Sequence, residues 1–385
     1  MAGGVPLERS YLLFACPLLV PLASLLAAAP PPRRPAIIGY VFARGGTIRP
    51  DEIAAEKLTH LNFAFASLRG GRLVESEAGD AANLAVLTGL RRRNPGLRVL
   101  VSAGGWTGSK GFSDVALTAV RRGAFVASAV EFLRRHDLDG LDVDWEYPGL
   151  PGAGNPHRPF DRANFTALLA DLRRALDAEG AARGRTLLLT IAAGAFPDYL
   201  AHVDMAQAQA SLDLVNLMSY DFRLAEAGDE AGHHANLLPH PDDPRQLSAS
   251  TAVQQFLAAG VPAGKLVLGV PFYGRAWRGV AGGKDALYRA GKPARGLDVS
   301  SYPAIEALAG REGWSRGWDE RAQAPYLWNA RRGLFVSYED PQSLRAKARF
   351  VRAQGLAGVM FWECHGDPTG VLLDSLVEGL RGERP

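Results

Sequence analysis

Eight short apolar runs, separated by polar or Ala/Arg-rich stretches of helical character, restrict this chain more than any other feature. They cover residues 36–42, 58–65, 97–103, 140–147, 186–194, 212–220, 265–272 and 356–362. Most are near-continuously apolar and rich in Val, Ile, Leu and Phe, as strands covered on both faces require. Residues 117–135 and 162–179 read as helices. In the second, Phe165, Leu168, Leu169, Leu172 and Leu176 recur at the spacing of one helical face. Eight strand–helix alternations predict an α/β chain closed into a (β/α)8 TIM barrel rather than an open doubly wound sheet. No Gly-x-Gly-x-x-Gly follows the first run, which argues against a dinucleotide fold.

The rhythm breaks once. About eighty residues separate the seventh run from the eighth, too many for a structureless loop in a compact domain. Residues 279–338 carry Gly, Pro, several aromatics and short β-like runs. They are read as a small α+β insertion, and residues 36–278 and 339–385 as the barrel itself.

The N-terminal segment has a different character. Arg9 precedes an apolar stretch over residues 11–26, then Ala27, Ala28 and Ala29, and a proline-rich break from Pro30. Residues 1–29 therefore read as a secretory signal peptide, with a signal anchor as the alternative, since the apolar stretch is almost long enough to span a bilayer. The expectation is a secreted protein, extracellular or periplasmic, with no membrane partner unless that segment stays uncleaved. Cys16 falls within it, which leaves Cys364 alone in the mature chain and allows no internal disulfide. Net charge is +3, with basic residues scattered rather than striped among aromatics, so nucleic acid is not an expected partner.

The strongest chemical signal is Asp139-Gly140-Leu141-Asp142-Val143-Asp144-Trp145-Glu146-Tyr147. On a strand, alternate residues share a face, so Asp142, Asp144 and Glu146 line one side and Leu141, Val143 and Trp145 the other. A solvated acidic edge strand would give the same pattern. Yet three acids without an interleaved Lys or Arg repel one another for no structural gain. On the fourth of eight barrel strands, one face must point inward. Crowding and burial raise a carboxyl pKa, so at least one of these groups should hold a proton near neutral pH, as a general acid must. Glu146 lies toward the C-terminal end of the run, on the side where barrel active sites form, and is our choice for the acid. A divalent metal on the Asp-x-Asp pair is the rival chemistry, but the adjacent His233 and His234 lack ligand spacing, and neither a metal nor a cofactor is expected.

At these residues the chain resembles the family 18 glycoside hydrolases, the chitinase family. Asp139-x-x-Asp142-x-Asp144-x-Glu146 matches its signature strand, and Ser102-Ala103-Gly104-Gly105-Trp106, Met218-Ser219-Tyr220-Asp221-Phe222, Pro271-Phe272-Tyr273-Gly274-Arg275 and Met360-Phe361-Trp362 match further motifs. The resemblance spans about residues 37–367. It implies retaining, substrate-assisted hydrolysis of β-1,4-linked N-acetylglucosamine polymers, in which the sugar's own N-acetyl group replaces an enzyme nucleophile. It further implies that Asp144 orients the acetamido group, that Asp142 tunes the pair, and that the Tyr220 hydroxyl holds the acetamido carbonyl. Phe65, Gly105, Trp106, Tyr147, Met218, Asp221, Tyr273, Arg275 and Trp362 match positions that line the sugar sites. The insertion resembles that of the deep-groove branch. The implied partner is chitin or another N-acetylglucosamine glycan, such as peptidoglycan or an N-glycan, bound by a monomer. A non-catalytic lectin is the alternative class that the same fold supports.

Overall fold

A computed structural model describes residues 1–4, 34–226, 228–280 and 287–382. The segment read as a signal peptide or anchor, including Cys16, lies outside the described residues apart from residues 1–4. The remainder, from Pro35 on, is a single compact unit.

Eight parallel strands form its centre: β1 Ala36–Phe42, β2 His60–Arg69, β3 Arg98–Gly104, β4 Gly140–Asp144, β5 Leu188–Gly194, β6 Leu214–Met218, β7 Leu266–Pro271 and β8 Gly358–Trp362. Each pairs with its sequence neighbours, and β1 pairs with both β8 and β2, so the sheet closes into a (β/α)8 barrel. Closure leaves no free edge among these strands. The outward side chains make a continuous apolar layer beneath the helices. Leu141, Val143 and Trp145 are buried there with Phe165, Leu168, Leu172 and Leu176 of the helix Asp161–Arg183. Thr118 caps the helix Ala119–Arg135 by accepting a hydrogen bond from the Arg121 amide. Among the described residues, no helix is long and apolar enough to cross a membrane.

The expected strand around the acids extends to Tyr147, but β4 ends at Asp144. From Trp145 on, the ladder gives way to side-chain partners, so Glu146 stands beyond the strand on the barrel's C-terminal rim. The two-residue alternation survives this change: Trp145 stays in the apolar layer, stacked on Phe112 at 5.4 Å between ring centroids. In β2 the pairing with β3 shifts register between Ala64 and Ala66, and such a bulge re-aims the residue it displaces, here Phe65.

Between β7 and β8 lies an antiparallel sheet of five strands, in the order Lys292–Pro293, Arg275–Arg278, Leu334–Ser337, Ala324–Asn329, Ser315–Asp319, with the helix Tyr302–Ala309. Its Arg275–Arg278 strand lies ahead of the expected boundary at residue 279. It pairs with Leu334–Ser337, Arg275 opposite Ser337, and so the sheet grows directly out of the rim.

Candidate active site

The barrel interior below the rim is polar where most barrels are packed with aliphatic residues. Parallel register brings Ser102 of β3, Asp142 of β4 and Thr190 of β5 side by side. The Asp142 carboxylate accepts hydrogen bonds from Tyr40 Oη (2.8 Å), Ser102 Oγ (2.8 Å), Thr190 Oγ1 (2.5 Å) and Asn216 Nδ2 (3.2 Å). Burial nevertheless outweighs these four donors and raises its pKa.

Asp144 comes next along the same face and is 4% exposed. Burial first, then the charges of Glu146 and Asp142, push its pKa well above the usual carboxylate range. Its Oδ1 is buried and accepts no hydrogen bond from the described residues, which leaves a buried acceptor without a protein donor. Burial likewise pushes the Glu146 carboxyl up, to about 7. The strand therefore presents a carboxyl that is substantially protonated at neutral pH, above a second carboxyl that shares its field.

These groups open onto a cleft of about 1450 Å³, larger than the usual range for a single small ligand. Its lining includes Phe65, Gly105, Trp106, Asp144, Glu146, Tyr147, Met218, Tyr220, Asp221, Tyr273, Arg275 and Trp362. Every site residue named from the sequence is thus gathered at one rim, except Asp142, which lies fully buried beneath it. Trp362 forms part of an aromatic floor, stacked on Phe65 at 5.5 Å and flanked by Tyr40 and Phe42 at 5.7 and 5.8 Å. Trp106 is half exposed on the wall, edge-on to Tyr147 at 6.4 Å. Burial and the nearby carboxylates raise the Tyr220 pKa far above normal, so its hydroxyl stays a donor.

Gly104 and Gly105, at φ +115° and +78°, carry the chain past this strand. Asp139 lies off the catalytic face and holds structure: its Oδ2 accepts the Val99 amide at 2.8 Å and Arg91 at 2.6 Å. His233 and His234 turn to different partners, Asp319 and Asp221.

Asp221, at φ +58°, sits at the head of the loop after β6. Arg275 grips it with two parallel hydrogen bonds, Nε to Oδ1 at 2.8 Å and Nη2 to Oδ2 at 2.6 Å. Burial would raise the Asp221 carboxyl, but the hydrogen bonds from His234 and Arg275 prevail and hold it well below the usual range. Arg275→Ala is expected to cost about 1–3 kcal/mol of stability at neutral pH, because it takes the guanidinium from the partly buried Asp221 carboxylate, which keeps His234. A depressed folded pKa stabilises above the unfolded value and ceases to do so as pH falls. The gap between wild type and variant in chemical denaturation should therefore narrow below about pH 4.

Sequence reasoning missed Tyr40 and Phe42. Ile38, Tyr40 and Phe42 share one parity on β1, so their common inward face was a readable signal.

The family model for glycosyl hydrolases family 18 matches residues 36–367. Chitinase A1 of Niallia circulans is 41% identical over 310 residues, which cover 77% of this chain and 44% of that protein. The chain thus spans under half the length of that relative. Chitotriosidase-1 of Mus musculus is 34% identical over 81% of this chain and 68% of its own. Among solved structures, a glycoside hydrolase family 18 N-acetylglucosaminidase from Paenibacillus barengoltzii superposes with a TM-score of 0.80 at 42% identity, over 90% of this chain and 99% of that one. A class V chitinase from Nicotiana tobaccum, solved in complex with NAG4, superposes with a TM-score of 0.80 at 27% identity, over 90% of this chain and 98% of that one.

Proposed function

This chain belongs to family 18 of the glycosyl hydrolases, and from that premise we propose that it hydrolyses β-1,4-linked N-acetylglucosamine chains, chitin and its oligomers, with retention and with assistance from the substrate. One observation carries the reading: Glu146, whose carboxyl burial pushes up to about 7, lines one cleft together with Tyr220 and with Asp144, whose buried Oδ1 has no hydrogen-bond partner among the described residues.

Each group has a task in that reaction. Glu146 donates its proton to the glycosidic oxygen as the bond to the leaving sugar breaks. The acetamido oxygen of the sugar that keeps the anomeric carbon attacks that carbon, so no protein nucleophile is needed; water, deprotonated by Glu146, then opens the cyclic intermediate with net retention. Asp144 Oδ1 accepts the acetamido N–H and thereby directs the carbonyl oxygen to the ring. Tyr220 donates to that carbonyl as charge develops there. Asp142, held by four donors, fixes the field under Asp144. Trp362 lies flat beneath the reacting sugar, and Trp106 offers a face to the departing chain. Phe65 extends the floor beside Trp362, and Gly105, Met218, Tyr147, Tyr273, Asp221 and Arg275 complete the walls. The volume of the cleft and the sheet of residues 275–337 beside it support a grip on several sugars, as in the deep-groove branch. We place the protein outside the cell, acting as a monomer.

Product analysis on N-acetylglucosamine oligomers of defined length tests the reading, and the expected result is cleavage to shorter oligomers. The likeness to the Paenibacillus barengoltzii enzyme over its whole length favours a second reading, release of single N-acetylglucosamine units from chain ends, which the same assay would show as monomer from the first turnover. No release from any oligomer would refute both.

The pH profile follows from the site. Hydrolysis needs Glu146 protonated, so kcat/KM should fall as pH rises through about 7, the limb belonging to the coupled pair. A limb at the ordinary Glu value near 4.3 would contradict the assignment.

A further inference from the structure

Glu146 lies two residues past the end of β4, where the sheet no longer holds the chain. Its peptide groups are nonetheless satisfied, and by side chains. The Glu146 amide donates to Ser109 Oγ at 2.9 Å. Its carbonyl accepts from Asn155 Nδ2 at 2.9 Å. Both side chains are almost wholly enclosed, Ser109 at 0% and Asn155 at 5% exposure. They come from two different rim loops, the one after β3 and the one after β4.

Each of these side chains reaches a second wall of the cleft. Ser109 Oγ also lies 2.8 Å from the Gly105 carbonyl and 3.0 Å from the Asp144 carbonyl, so a single hydroxyl ties the glycine turn to the carboxylate strand. The Asn155 amide also donates to the Trp106 carbonyl at 3.2 Å. That one carboxamide therefore joins the backbone of the acid to the backbone of the exposed tryptophan. Gly152 leaves room for the approach: a Cβ there would fall 2.4 Å from the Glu146 carbonyl oxygen. A backbone that could relax into water would have no use for this bracket. Here it fixes where the carboxyl of residue 146 stands relative to Trp106, and hence relative to any bond lying between them.

We propose that Ser109 and Asn155 are positioning residues for proton donation: they clamp the two ends of the Glu146 peptide, and Asn155 locks that peptide to the Trp106 wall. This rests on the reading of Glu146 as the acid. Neither residue is among those that line the cleft. Proton transfer tolerates little displacement, and an error of about 1 Å in the donor costs about 10²-fold in rate.

The test compares leaving groups. Asn155→Ala and Ser109→Ala are assayed on an N-acetylglucosamine oligomer, whose sugar leaving group needs the proton, and on an aryl glycoside with a strongly acidic phenol, which needs it far less. The expected result is a fall in kcat of about 10- to 100-fold on the oligomer, a much smaller fall on the aryl glycoside, and a shifted basic limb in the pH profile. Equal losses on both substrates, or no loss on either, would overturn the proposal. Thermal unfolding reports whether each variant folds. If Asn155→Ala does not, Ser109→Ala alone decides, since it deletes only an oxygen. Glu146→Gln in the same assay separates the two levels. If it keeps oligomer turnover, the acid assignment fails and takes this proposal with it. An inactive Glu146→Gln beside fully active Ser109→Ala and Asn155→Ala defeats the positioning role alone.

Discussion

Glu146→Gln is expected to lower turnover of N-acetylglucosamine oligomers by about 10²- to 10⁴-fold, the range that general acid catalysis supplies. The amide matches the carboxyl in size but has no acidic proton to give the leaving oxygen. Folding should survive, because Ser109 and Asn155 hold residue 146 by its backbone, and the amide oxygen can still accept the hydrogen bond that Tyr147 makes to the carboxyl. Removing the charge also relieves Asp144, whose raised pKa owes part of its shift to Glu146. The unfolding midpoint should hold or rise slightly. Oligomer binding, measured by calorimetry, should stay within a few-fold of wild type, since the aromatic floor of Tyr40, Phe42, Phe65 and Trp362 is untouched. Wild-type turnover in this variant would remove Glu146 from the mechanism and return the lectin alternative to consideration.

The parts of this molecule that were legible in sequence share a physical cause. Apolar runs mark buried strands because burial on both faces is a local demand, and β1, β7 and β8 fall within two residues of their expected ends. The acid triad was legible because strand alternation is also local. What could not be read depends on distant partners. Tyr40 meets Asp142 across 102 residues of sequence, and nothing near Tyr40 announces that contact. The end of β4 at Asp144 depends on Ser109 and Asn155 taking over the peptide groups of residue 146, each from a loop whose shape the strand pattern does not constrain. Phe65 could be placed in the cleft by resemblance, but the register shift that aims it there follows from pairing with β3.

Gly104→Ala should be among the most damaging single-methyl changes available at this site. Gly104 has φ +115°, a conformation that residues with a Cβ rarely adopt. A Cβ built there falls 2.1 Å from the Asp144 carbonyl oxygen and 2.8 Å from the Phe112 ring. Neither neighbour can yield cheaply. The Asp144 carbonyl accepts the Gly105 amide at 2.9 Å and lies 3.0 Å from Ser109 Oγ, while Phe112 is wedged against Trp145 in the apolar layer. The alternative is for β4 to retreat, and with it Asp144 and the chain leading to Glu146. A loss of about 3–5 kcal/mol is expected, at the upper end of single-mutation effects. Any folded fraction should lose at least about 10²-fold in activity from displaced carboxylates. Gly123→Ala is the matched control. It lies within the helix Ala119–Arg135, and a Cβ there meets nothing within 4 Å. It should be neutral or stabilising by about 0.5–1 kcal/mol, since Ala suits a helix interior better than Gly. Equal denaturation midpoints for the two variants would mean that β3 and β4 do not press together at the rim, and the close packing that crowds the acids would have to be abandoned.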